Sequence, residues 1–166
     1  FAFQHYKIQP DILTLAKSLG GGVPIGACLV SGKIQKEILT PGTHGTTYGG
    51  NPLVSAAALA VFKAIKKERL LQNAVKMGEF LGGRLEAMKA RFSFIHQLRG
   101  MALMRGVELS ILGTPVADKA REKGLLINCT QDKVLRIMPP INIPKKILAR
   151  GLEILENTFE EIAKVT

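Results

Sequence analysis

The run Asp11-Ile-Leu-Thr-Leu-Ala-Lys-Ser-Leu-Gly-Gly-Gly-Val-Pro-Ile-Gly26 decides how this chain is read. A short apolar stretch, Ile12 to Leu15, delivers one lysine, Lys17, to three glycines and a proline. Buried strands normally run into turn residues such as Ser, Asn or Gly. A lysine at a strand end beside a glycine turn stands where an α/β protein puts its chemistry. Glycines let backbone come close to a bulky ligand. An amine held in a partly dry cleft is a usable nucleophile toward an aldehyde. The plain alternative is a solvated loop lysine.

Working outward, two further blocks have the same character. Gly42-Thr-His-Gly-Thr-Thr-Tyr-Gly-Gly-Asn-Pro52 is a loop of hydroxyls and glycines, a composition that suits a phosphate. Leu135-Arg-Ile-Met-Pro-Pro140 sets one arginine in an apolar strand. Such an arginine needs a partner or must reach outward, and its planar guanidinium matches a carboxylate in bidentate fashion. A salt bridge to a nearby Asp or Glu is the structural alternative for Arg136, and local backbone satisfaction is the alternative for the threonines.

Together, in this order and at about this spacing, the three motifs resemble those of the class III aminotransferases, which use pyridoxal 5′-phosphate. The resemblance covers essentially the whole chain but only the C-terminal part of the family's usual length. It implies an α/β fold: part of the large domain of a pyridoxal-phosphate transferase, residues 1–68, followed by the small α+β C-terminal domain, residues 69–166. It implies that Lys17 is the catalytic and cofactor-carrying amine, and that Thr47 contacts the cofactor phosphate from a neighbouring subunit, with Thr46 a second contact. It also implies that Arg136 binds the carboxylate of amino-acid and 2-oxo-acid substrates, and that the protein is a homodimer with shared active sites. The wording of the motifs is most similar to family members acting on N-acetylornithine, with those acting on ornithine next. Transfer between N-acetylornithine and 2-oxoglutarate, in arginine biosynthesis, is therefore the expected reaction. Ornithine, succinylornithine and 4-aminobutyrate remain alternative donors. The family's aspartate for the pyridine nitrogen has no matching segment, so the polypeptide by itself is expected to have little or no activity. A non-catalytic C-terminal or dimerisation module is the alternative of another class.

Composition agrees with an ordinary folded chain. With 166 residues, 46% of them hydrophobic, it can bury a real core, and disorder is excluded. It opens on Phe1-Ala2-Phe3 with no initiator methionine, which reads as a processed product or a fragment, and the resemblance implies a fragment. The formal charge of +10 is scattered, with only Lys66-Lys67 and Lys145-Lys146 adjacent, and aromatics do not interleave with it. No nucleic-acid partner is expected. No apolar run reaches transmembrane length, so no membrane partner is expected either. Cys28 and Cys129 lie far apart, without metal-ligand spacing, which points to a reduced, cytoplasmic chain with no metal site. Cys28, inside a strand, reads as a small core hydrophobe.

Periodicity supplies the elements. Strands are expected at Ile12–Leu15 and Ile25–Val30, and a short amphipathic turn or helix at Lys33–Leu39. Asn51-Pro52 starts a helix over Leu53–Lys66 that is apolar nearly all round, hence buried on more than one side. Leu70–Arg91 is a long amphipathic helix in which Gly82-Gly83 marks a bend or close packing. The domain boundary falls between Lys66 and Gln72. Beyond it come strands Phe94–Leu98 and Met101–Leu109, broken at Arg99-Gly100, and a helix from Thr114 to Lys123 ended by Gly124. Strands Leu125–Asn128 and Val134–Met138 form a hairpin, and Pro144 opens a last helix with Ile147, Leu148, Leu152, Leu155, Phe159 and Ile162 on one face.

Overall fold

The structure, a computed structural model, describes residues 1–164, the side chain of Glu37 excepted. The expected small domain therefore runs two residues past what is described. The chain divides into two compact units, Phe1–Lys67 and Glu68–Thr166.

The first unit runs α1 (Ala2–His5), β1 (Ile12–Leu15), a 3-10 turn (Lys17–Gly20), β2 (Ala27–Val30), α2 (Gly32–Ile38) and α3 (Pro52–Lys67). β1 and β2 are antiparallel, with Ile12 opposite Val30 and Leu15 opposite Ala27. Ser31 closes the hairpin by donating its N–H to the Asp11 carbonyl at 2.8 Å. Asn51 caps α3 as expected, its Oδ1 accepting from the Leu53 N–H at 2.9 Å.

Burial in this unit departs from the sequence reading. Among its described residues only Gly20 and Ala58 are buried. Ile12, Leu29, Leu53, Leu59 and Phe62 are exposed, and so is Cys28, which is not the core hydrophobe its strand suggested. The reason is the number of layers. A two-stranded ribbon and one long helix leave most apolar faces uncovered within the unit.

The second unit is a complete two-layer sandwich. α4 (Leu70–Arg91) leads into β3 (Ile95–Met101), β4 (Met104–Leu109), α5 (Thr114–Glu122), β5 (Asn128–Thr130), β6 (Val134–Ile137) and α6 (Lys145–Ala163). The strands form one antiparallel sheet in the order β3-β4-β6-β5. One face buries Leu81, Leu85 and Met88 of α4 and Leu148, Leu152, Leu155 and Phe159 of α6 with Val107 and Leu135 of the sheet. The Phe92, Phe94 and Phe159 rings meet at 5.6 Å between centroids.

Two expectations shift here. The first hairpin does not break at Arg99-Gly100; pairing continues through Gly100 opposite Arg105 to Met101 opposite Met104. The turn falls on Ala102-Leu103, and Ala102 takes a left-handed φ of 47°. That turn presses on α4, because a Cβ at Gly78 would lie 2.4 Å from the Ala102 Cα. Arg105 locks the corner, donating to the carbonyls of Ala102 (3.0 Å), Gly100 (3.0 Å) and Gly78 (3.1 Å). Close packing on α4 is thus tightest at Gly78; of the expected Gly82-Gly83 pair, a Cβ at Gly82 would lie 3.2 Å from Arg105 Nη2, while Gly83 faces open space. The other shift is at Leu125–Ile127, which precedes the short strand β5 instead of forming it.

Candidate functional site

Lys17 sits where β1 ends. Ala16 is still extended, and Lys17 then turns into the left-handed region at φ 56°. A non-glycine residue there costs about 1–2 kcal/mol and persists only where its surroundings hold it. The surroundings are the 3-10 turn, in which Leu19 donates to the Ala16 carbonyl at 3.2 Å and Gly21 to Ser18 at 3.1 Å. α3 packs against the same turn. Gly21, at φ 61°, passes so close that a Cβ would lie 3.0 Å from the Val61 methyl. The glycine run thus fixes the direction in which the chain leaves the strand. The Lys17 side chain is exposed, and its amine has no hydrogen-bond or ion-pair partner among the described residues.

The threonine loop of the same unit sorts its hydroxyls. Thr43 Oγ1 donates to the Thr40 carbonyl at 2.7 Å, and Thr46 Oγ1 accepts from the Gly49 N–H at 3.1 Å. The Thr47 hydroxyl has no partner among the described residues. Local backbone satisfaction therefore accounts for Thr43 and engages Thr46, but leaves Thr47 available to a ligand. His44 makes no hydrogen bond among the described residues.

Arg136 belongs to the second unit, on the sheet face opposite the helices. Its neighbours Leu135 and Ile137 are buried while Arg136 is exposed, as strand alternation requires. No carboxylate pairs with it among the described residues; Nη2 reaches only the weakly accepting Met138 Sδ, at 3.1 Å. Across the sheet the row reads Arg99, Gly106, Arg136, Asn128. Arg99 is neutralised by Glu108. Arg136 is the cation of that row left for an outside anion. Asn128 has no motif signal that assigns it a role; the register of the β5–β6 hairpin places it opposite Arg136.

In the first unit a free amine and a free hydroxyl in a glycine-rich loop are chemically apt for a phosphorylated aldehyde; in the second an unpaired guanidinium is apt for a carboxylic acid. No cluster of three or more metal-ligating side chains occurs among the described residues, and none of their helices is long and apolar enough to cross a membrane.

The profile described as Aminotransferase class-III matches residues 1–159. The chain belongs to the class III aminotransferases. Pyridoxal phosphate is the cofactor of this family, and the amine, hydroxyl and guanidinium described above fit it and a carboxylate substrate in chemistry. The chain is 45% identical over 164 residues to the acetylornithine aminotransferase of Methanocaldococcus jannaschii, covering 99% of this chain and 41% of that protein. It thus spans about two fifths of the length of the relatives it matches. Among solved structures, acetylornithine aminotransferase from Elizabethkingia anophelis superposes with a TM-score of 0.88 at 30% identity, over 97% of this chain and 43% of that one. Ornithine delta-aminotransferase of Plasmodium falciparum superposes with a TM-score of 0.92 at 31% identity, over 100% and 44%. The mixed helix-and-sheet fold is that of these enzymes over the matched part.

Proposed function

We propose that the full-length protein carrying this segment is a pyridoxal-phosphate aminotransferase. It moves an amino group between N-acetylornithine and 2-oxoglutarate, a step of arginine biosynthesis, as a cytoplasmic homodimer with shared sites. Residues 1–68 are then the end of the cofactor-binding domain and 69–166 the small domain, a reading supported by the division between Lys67 and Glu68. The observation that carries the proposal is the unpaired Lys17 amine, held at a left-handed strand end in a chain of this family. The choice of donor is supported by the 45% identity to an acetylornithine aminotransferase along nearly the whole chain. The likeness to ornithine delta-aminotransferase keeps free ornithine as the second reading.

When bound, the cofactor would supply an electron sink for the bonds at the carbon bearing the transferred amine. Lys17 Nζ would hold the cofactor's aldehyde carbon and would move the proton on the carbon bearing the transferred amine, Cδ in N-acetylornithine and Cα in glutamate. Thr47 Oγ1 donates to the phosphate, and Arg136 fixes the carboxylate with its paired N–H groups. Orientation matters because the C–H bond of the carbon bearing the transferred amine must face the lysine for proton transfer.

Two measurements on the full-length protein test this. Borohydride reduction with pyridoxal phosphate, followed by peptide mapping, should place the adduct mainly on Lys17, and Lys17→Ala should abolish it. Adducts spread over many lysines would refute the site. With 2-oxoglutarate as acceptor, kcat/KM should be higher for N-acetylornithine than for ornithine. The reverse order establishes the second reading, and turnover of neither refutes both. The 166-residue chain alone is expected to turn over neither donor.

A further inference from the structure

Asn128 is the residue the sequence left without a role. It lies at the start of β5, the edge strand, directly opposite Arg136 in the ladder. Cys129, next along, turns inward and packs on the core, as does Leu135, next to Arg136. By alternation Asn128 and Arg136 share the outer face. Directly opposed residues stand with their Cβ atoms about 5 Å apart, within reach of one small ligand. Both side chains are exposed, and the Asn128 amide has no hydrogen-bond partner among the described residues.

The rest of the row explains why a ligand would settle here. Arg99 is held by Glu108, and Gly106 between the two arginines has no side chain to offer. An anion on this face is therefore drawn to Arg136. A carboxylate has about four acceptor positions, of which a bidentate arginine fills two. The neighbour best suited to fill a third is a neutral donor. An aspartate at position 128 would pair with Arg136 and expel the substrate.

We propose that Asn128 is a substrate-binding residue whose side-chain amide donates a hydrogen bond to the carboxylate held by Arg136, making this pair the reader of that carboxylate. The proposal rests on the reading of Arg136 as the carboxylate site.

The test uses the full-length, cofactor-loaded enzyme in the half-reaction with glutamate, whose transferred amine and α-carboxylate share one carbon. Glutamate is compared with 4-aminobutyrate, the corresponding amine lacking the α-carboxylate. The readout is the ratio of the two kcat/KM values, which a general structural defect leaves unmoved. Asn128→Ala should lower the ratio about tenfold, the worth of one hydrogen bond to a charged group, mainly by raising KM for the amino acid. Asn128→Asp should lower it further, because the new carboxylate occupies Arg136. Thr130→Ala, on the same strand but opposite Val134, should leave it unchanged. Asn128→Ala and Asn128→Asp both keeping the parent ratio, while Arg136→Ala loses it, would overturn the role of Asn128 alone. Arg136→Ala keeping the ratio would overturn the carboxylate reading beneath it.

Discussion

Replacing Gly78 by alanine should destabilise the second unit, although alanine is the better helix former. The helix term favours the substitution by about 1 kcal/mol. Against it stands the contact with the β3–β4 turn, where the new Cβ would lie 2.4, 2.6 and 2.7 Å from the Cα, carbonyl carbon and oxygen of Ala102. Ordinary contact begins at 3.4 Å, so the turn must withdraw by 1.0 Å (3.4 − 2.4). Backbone cannot rotate away as a side chain end can, and overpacking of this kind costs about 1–3 kcal/mol. The withdrawal also loads Arg105, which donates to the Ala102 and Gly78 carbonyls at once. Losing one such charge-assisted bond costs about 1.5–3 kcal/mol. The net is a loss of about 2–4 kcal/mol, which in a unit of this size lowers Tm by about 10–30 °C. Thermal unfolding followed by far-UV circular dichroism reads it. The companion variant is Gly83→Ala, whose Cβ meets nothing within 4 Å. It should gain about 0.5–1 kcal/mol and melt a few degrees higher. The reasoning fails if Gly78→Ala melts at or above the parent temperature, or if the two variants shift in the same direction.

The acid limb of stability should depend on Glu161, whose carboxyl is lowered from 4.5 to about 2 by hydrogen bonds from Lys123 first and then Lys119. A depressed folded-state pKa gives a contribution fully present above pH 4.5 and lost as pH falls toward 2, so Glu161→Gln should flatten that limb and converge with the parent near pH 2. Denaturant midpoints measured from pH 7 down to 2 check it, and an unchanged acid limb counts against it. In the full-length protein, Thr47→Ala should weaken cofactor binding about tenfold, the worth of a charge-assisted hydrogen bond. Thr46→Ala should act less on binding and more on the loop, because its hydroxyl already accepts from Gly49. Cofactor titration of both variants by absorbance separates these, and equal losses would show that the loop's sorting of hydroxyls is irrelevant to the ligand.

Much of the molecule was legible because the signals are local. Leu70–Arg91 has the bounds its apolar stripe indicated, and Asn51-Pro52 starts its helix. Lys17, the glycine turn and the Thr40–Gly50 loop could be picked out because their residue types are unusual where they stand. What failed depends on contacts that residue type and period do not encode. Gly100 looked like a turn glycine, yet the corner went to Ala102, because Arg105 and α4 hold that corner. Ile147 seemed to belong to the inner stripe of α6 and is exposed, whereas Thr158 is buried, its hydroxyl bonded to the Ile154 carbonyl at 2.8 Å. A hydrophobicity pattern ranks faces by residue type, and a hydroxyl satisfied within its own helix can be buried like an aliphatic group.

The sequence by itself determined the family motifs, the long helices with their starts, and the residues able to carry an aldehyde, a phosphate and a carboxylate. These follow from side-chain chemistry and from periods of two and 3.6 residues, which a chain carries without its partners. Only the tertiary structure decided which candidates are free to act. It showed that Thr46 is engaged and Thr47 is not, that Arg99 is neutralised and Arg136 is not, and that Asn128 stands opposite Arg136. Those distinctions turn on strand register and on which donor reaches which acceptor. Both are set by the packing of segments far apart in the chain, where a one-residue slip would turn every side chain of a strand to the other face.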